Sequence, residues 1–216
     1  MSWQIFDGLS GDYDKWFDRS PGQEMFLLEK LCLEDALTGT EKPRLEVGVG
    51  TGRFADALGV EYGIDASSQM LEKARARGIE VVEGRAESLP YEADFFGAVL
   101  MVVTICFLDD PIASIRECFR VMRPGAALVV GFVPADSSWG KQYQHKKENG
   151  HPYYSSAQFY TTSEVRSMGE AAGYKLDYVL STLFEEPGEQ SIGHYPPKPG
   201  EHVGAGFVVI RFVKPR

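Results

Sequence analysis

Chemistry enters this chain at a glycine-rich turn flanked by carboxylates. Arg44-Leu45-Glu46-Val47-Gly48-Val49-Gly50-Thr51-Gly52-Arg53-Phe54 reads as a buried strand, a turn and the start of a helix. Leu45, Val47 and Val49 are apolar and partly β-branched, which suits the strand. Glycines at 48, 50 and 52 let the backbone turn sharply and approach a ligand, because no Cβ intervenes. A helix beginning near Thr51 would aim its first N–H groups and positive dipole end into the turn, a setting for an anionic or polar small molecule. The Gly-x-Gly-x-Gly spacing is not the Gly-x-Gly-x-x-Gly of dinucleotide folds. Glu46 would repel a diphosphate and tolerate a ligand with positive charge. A second apolar run, Val60 to Ile64, ends at Asp65, where a carboxylate can accept both vicinal hydroxyls of a ribose.

These residues need a scaffold that brings strand ends together. Glu80 to Glu83 is a third strand, followed by the polar turn Gly84-Arg85-Ala86-Glu87-Ser88-Leu89-Pro90. Phe95 to Val103 and Ala126 to Val133 are a fourth and a fifth. Helices fall between them. One runs from about Ser67, a good N-cap, to Arg77, with Gly78 as its stop. Another starts at Asp110 and Pro111 and ends before Pro124-Gly125. Strands alternating with helices imply a mainly parallel, doubly wound sheet, which binds ligands at its strand carboxyl ends. Every residue singled out above falls at such an end.

In this order the segments resemble the class I S-adenosylmethionine-dependent methyltransferases, in the broad subfamily that includes quinone-biosynthesis methyltransferases. The residues that carry the likeness are Glu46 to Gly52, Gly63-Ile64-Asp65, Gly84 to Pro90 and Arg120 to Gly125. It covers about Pro43 to Val133 well and the flanks weakly. The resemblance implies an α/β, Rossmann-like, doubly wound and mainly parallel seven-stranded sheet with an antiparallel hairpin at one edge. That hairpin would be Tyr174 to Leu183 and Gly206 to Val213. It implies S-adenosylmethionine as cofactor, with the backbone at Gly48, Gly50 and Gly52 holding the methionine portion. Glu46 would lie near the amino or sulfonium end. Asp65 and Ala66 would meet the ribose, and Met70, Ala86 and Glu87 the adenine. Met101 and Val102 would line the methyl region. Two positions depart from the family pattern. Cys106-Phe107 stands where many relatives have a histidine pair, and Ala126 stands where a second glycine is usual.

The expected organisation is one domain. Residues 1–42 form a helical cover, with Tyr13, Trp16 and Phe17 as lid candidates. Residues 43–133 form the cofactor core. Residues 134–160 are a long loop-like insertion for substrate, and 161–216 a helix, begun by a Thr161/Glu164 capping box, and the hairpin. Should the acceptor need a general base, the candidates are His145, His151, Tyr153 and Tyr154. No metal is expected, because His145 and His151 lack ligand spacing. A net charge of −9 and a pI near 5.0 argue against nucleic acid as partner. No apolar run reaches membrane-spanning length, and Met1 to Ser20 lacks a signal-peptide core. Cys32, Cys106 and Cys118 are an odd, unpaired set that fits buried free thiols and the cytoplasm. The expected activity is in-line methyl transfer to a small molecule. Two other functions stay open: a non-catalytic cofactor-binding or partner protein, and a nicotinamide-dependent oxidoreductase.

Overall fold

The computed structural model describes residues 10–188 and 192–216, with side chains from residue 14 onward in its first helix. The lid candidate Tyr13 therefore lies outside the described side chains. Helices α1 (Ser10–Phe17) and α2 (Gly22–Ala36) precede strand β1 (Arg44–Val47). Then come α3 (Arg53–Leu58), β2 (Tyr62–Asp65), α4 (Ser68–Ala76), β3 (Glu80–Glu83) and β4 (Phe96–Val102). A 3-10 turn at Ile105–Phe107, α5 (Pro111–Val121) and β5 (Met122–Phe132) follow. The chain ends with α6 (Ser138–Glu148), α7 (Thr162–Ala171), β6 (Lys175–Thr182), β7 (Lys198–Pro199) and β8 (Phe207–Val213).

The sheet order is β3-β2-β1-β4-β5-β8-β6-β7. β1 pairs in parallel with β2 on one side and β4 on the other, so the chain changes direction across the sheet at β1. Such a switch opens a crevice above the strand carboxyl ends. β8 runs antiparallel between β5 and β6, giving the expected hairpin. The strand count is eight rather than seven, because the two residues of β7 pair with β6 at the edge. Every residue of β4 is buried, as befits a central strand covered on both faces. Its alternate residues feed two cores. Ala98, Leu100 and Val102 pack with α2, α3 and α4 through Leu28, Cys32, Phe54 and Leu71. Val99 and Met101 pack on the other face with α5 and α7 through Ile115, Cys118 and Val165. Each large side chain buried this way contributes roughly 1.5–3 kcal/mol.

Caps fix where the helices begin. Ser67 accepts from the Met70 N–H, Asp110 accepts from the Ala113 N–H with Pro111 next, and Thr161 and Glu164 form the expected capping box. Residues 134–160 correct the sequence reading. They are not simply a loop, because α6 occupies Ser138–Glu148. Ser137 caps it by accepting from Gly140 N–H at 2.9 Å, and Trp139 and Tyr143, four residues apart, form its buried face. Among the described residues no helix is long and apolar enough to cross a membrane.

Candidate functional site

A cavity of about 420 Å³ lies over the carboxyl ends of the parallel strands, within the roughly 300–1,000 Å³ of ligand pockets. Its floor is the turn after β1. The N–H groups of Gly48 and Val49 both donate to the Ile64 carbonyl, at 2.8 and 3.0 Å, which staples the turn to β2. Gly52 N–H donates to the Val49 carbonyl, and Gly50 N–H donates to Asp65 Oδ2 at 2.9 Å. These four donors are thus engaged internally instead of pointing at a ligand. Gly50 adopts φ 52°, and a Cβ there would meet nothing within 4 Å, so its space opens into the cavity. Asp65 Oδ1 accepts from Ser67 N–H at 2.9 Å. That bond and the one from Gly50 fix the carboxylate on the wall. Beyond β4, Val103 holds φ 52°, a left-handed conformation that costs a β-branched residue about 1–3 kcal/mol and is commonest at functional sites.

One side of the opening is covered by α1. Asp14 anchors it. Its carboxylate accepts from the Thr51 hydroxyl at 2.8 Å and from Arg77 at 3.2 Å, with Arg53 and Lys73 at 3.5 and 3.6 Å. Arg77 also bonds the Thr51 carbonyl. Burial would push the Asp14 carboxyl up, but the Thr51 bond and the Arg77 and Lys73 charges outweigh it and hold it below its usual value. This anchoring carries Trp16 and Phe17 onto the cavity wall. The Phe17 and Phe26 rings lie 5.8 Å apart, under the Arg53 guanidinium.

The other end is lined by side chains from distant segments: Glu29 of α2, Cys106 of the 3-10 turn, Tyr143 and Lys146 of α6, then His151 to Tyr154 and Phe159. The Tyr143 and Tyr154 rings stack at 4.8 Å and 17°. His151 stands 5.1 Å from Tyr154, and Lys146 Nζ lies 5.3 Å from the Tyr143 centroid. Gln158 N–H donates to the Cys106 carbonyl at 2.7 Å, which ties this segment to the end of β4. Burial raises the Tyr154 phenol and the Cys106 thiol to about 12, so both stay neutral near pH 7. Burial also raises the Glu29 carboxyl, to about 8.

The structure brings together Gly48, Gly50, Asp65, Ala66, Met70, Ala86, Glu87 and Val102, along with Trp16, Phe17, His151, Tyr153 and Tyr154. Four expected residues are not on the cavity wall. Glu46 is 2 % exposed and packs beneath the turn, bonded by Ala55 N–H. Burial and then Asp65 repulsion push its carboxyl well up. Gly52 faces α4, where a Cβ would overlap Ile79 and Ala74. Met101 points to the opposite core, since a strand turns successive side chains to opposite faces. His145 lies exposed on α6, beside Asn149 and Glu148. Glu29 and Cys106 were not anticipated on the wall, and Tyr143 and Lys146 fall in the 134–160 stretch expected for substrate without having been singled out. The available signal for Glu29 was one carboxylate in the apolar stripe Met25, Leu28, Cys32, Leu33. Among the described residues no group of three or more His, Cys, Asp or Glu could hold a metal ion, and the three cysteines are free.

Comparisons with known proteins bear on this cavity. A family profile described as a methyltransferase domain matches residues 45–130. The chain is 39% identical over 201 residues to an uncharacterized protein of Mycobacterium tuberculosis, which spans 93% of this chain and 70% of that protein. It is 29% identical over 140 residues to demethylmenaquinone methyltransferase of Lactococcus lactis, spanning 58% and 56% of the two. A solved structure from Thermotoga maritima superposes with a TM-score of 0.87 at 36% identity, covering 99% of this chain and 100% of that one. It is described as a SAM-dependent methyltransferase and possible histamine N-methyltransferase.

Proposed function

The chain belongs to the S-adenosylmethionine-dependent methyltransferases, with S-adenosylmethionine as cofactor, and on that premise we propose that it methylates a small-molecule acceptor by in-line displacement. The observation that carries the reading is one cavity with two unlike ends, Asp65 and Gly50 at one and the Glu29, Tyr143 and Tyr154 cluster at the other.

The residues present fit the cofactor. Asp65 stands on the wall where a ribose diol can donate to it. Ile64, Met70 and Ala86 supply apolar surface for the adenine. The open space over Gly50 accepts the methionine portion. When bound, the cofactor supplies a sulfonium whose methyl group is already electrophilic. The chain then has to hold the acceptor in line and keep water out, which is where positioned binding gives its rate advantage. In this reading Trp16 and Phe17 close over the cofactor. The aromatic segment at 143–160 forms the acceptor wall. Cover by α1 and α6 favours a small molecule over a macromolecular surface, and a net charge of −9 disfavours nucleic acid. A nicotinamide dinucleotide suits the site less well, since the donors at Gly48, Val49, Gly50 and Gly52 are already engaged. Free thiols, with Cys32 and Cys118 buried, are in keeping with the cytoplasm.

The test is calorimetric titration with S-adenosylmethionine and S-adenosylhomocysteine, with Asp65→Ala alongside. Micromolar-range binding lost in the variant supports the reading. A folded wild-type protein that binds neither compound refutes it. Histamine and demethylmenaquinone, named in the descriptions of two relatives, are the first acceptors to assay. Cofactor binding without transfer to any acceptor would favour a non-catalytic binding protein.

A further inference from the structure

We propose that the acceptor is an amine, and that Glu29 holds its nitrogen and carries the proton the nitrogen must lose. The inference rests on the methyltransferase reading and narrows it to a substrate class.

Glu29 is 5 % exposed, and that remaining surface faces the cavity. It has no hydrogen-bond or ion-pair partner among the described residues. It sits on the buried face of α2 between Met25 and Cys32, where an aliphatic side chain would pack at no electrostatic cost. A buried carboxyl without a partner destabilises a fold by roughly 1–3 kcal/mol or more. A ligand that enters the cavity can supply the missing partner, and a nitrogen donor that carries charge compensates a carboxylate best.

The surroundings point the same way. Tyr143 and Tyr154 lie close enough to Glu29 to feel its charge. With His151 and Phe159 they form an aromatic cluster at centroid spacings of 4.8 to 6.4 Å, and the Lys146 ammonium already lies near two of its rings. Ring faces attract an ammonium and its polarised C–H groups. An alcohol would find hydrogen bonds here but bring no charge for an ionised Glu29, and a carboxylate would be repelled by it in that form. Lys146 lines the same end, half-buried, with its Nζ over the Tyr143 ring, and supplies the competing possibility of an acidic acceptor.

The chemistry balances on one shared proton. With the proton on Glu29, the amine is neutral and its lone pair is free. The N–C bond forms as the methyl-to-sulfur bond breaks, the electron pair stays on sulfur, and the product nitrogen takes the positive charge. An acceptor that arrives as an ammonium gives its extra proton to Glu29, which returns it to water after transfer. Burial raises the proton affinity of Glu29 to about 8, closer to that of an amine than an ordinary carboxylate comes, and this is the range in which a general base works well.

The experiment uses the full chain saturated with S-adenosylhomocysteine. It is titrated with benzylamine, phenethylamine and hexylamine, and with the matching alcohols and carboxylic acids. Wild-type protein should bind at least one amine about tenfold tighter than its alcohol, and Glu29→Gln should abolish that preference. S-adenosylhomocysteine affinity and thermal melting of Glu29→Gln, and of the apolar Glu29→Met, report that the variants are folded. The proposal is overturned if no amine outbinds its alcohol, if an acid binds most tightly through Lys146, or if the preference survives in Glu29→Gln. Failure of the wild-type protein to bind S-adenosylhomocysteine would overturn the methyltransferase reading, and this proposal with it.

Discussion

At the Asp65 end of the cavity the chain works mainly with backbone, and at the Glu29 end it works with side chains. The first end is assembled from consecutive turns after β1, β2 and β3, with Asp65 holding Gly50 and Ser67 at 2.9 Å each. The second gathers Glu29, Cys106, Tyr143 and Tyr154 from four segments spread over more than half the chain. A site made of short turns on a sheet is rigid and specified locally. A site made of side chains from separate helices changes its chemistry whenever one residue changes, without disturbing the sheet. On the proposed reading of the two ends, the contrast teaches that cofactor use and acceptor choice are separable.

Four outcomes break or sharpen that comparison. The largest concerns pH. Burial raises Glu29 to about 8 in the folded state, against an ordinary value near 4.3 unfolded. The folded chain therefore binds the proton more tightly, and stability falls as pH rises from about 4.5 to 8, then levels off. Melting curves should show Glu29→Gln gaining on wild type across that window, by on the order of 10 °C in total. A constant difference at all pH values would mean that Glu29 is not buried as described. Next, Asp65→Ala should weaken S-adenosylhomocysteine binding by about a hundredfold or more, since hydrogen bonds to charged groups are worth roughly 1.5–3 kcal/mol each. Calorimetry would expose a smaller loss, which would move the ribose elsewhere. Third, Tyr154→Leu should raise the acceptor KM about tenfold, the scale of one aromatic contact. It should leave S-adenosylhomocysteine affinity within about twofold, and an equal loss of both would dissolve the distinction between the ends. Smallest, Asp14→Asn should weaken cofactor affinity by only about threefold, as partly exposed ion pairs do, with a flatter dependence on salt in titrations at two ionic strengths.

The same contrast decided what could be read from sequence. Strand order, caps and the Asp65 end follow from local patterns: Ser67 before a helix, Asp110-Pro111, and an acidic residue closing a short apolar run. Errors there were errors of side-chain direction. Val102 reaches the cavity and Met101 does not, because neighbours on a strand face opposite ways. Glu46 is buried off the cavity wall, where the Ala55 N–H bonds it. The Glu29 end was legible only in outline. Its aromatic density at 143–160 marked a stretch that lines the cavity, yet the helix α6 within it was hidden by a polar, lysine-rich composition in which only Trp139, Gly140 and Tyr143 are buried. Nothing local links Glu29 to Tyr154, since tertiary packing alone makes them neighbours.

The Asp14 anchor has a consequence for the sequence of events in time. One carboxylate joins α1 to Thr51, Arg53, Lys73 and Arg77, and the same helix carries Trp16 and Phe17 over the cavity. On the proposed reading, entry and exit of the cofactor require α1 to release several contacts at once, whereas the acceptor comes and goes at the other end. The expected kinetics are a compulsory order, cofactor first and acceptor second, with departure of the spent cofactor as the slow step. A burst of methylated product in the first turnover would record it, with a steady-state rate that quickens as salt loosens the anchor.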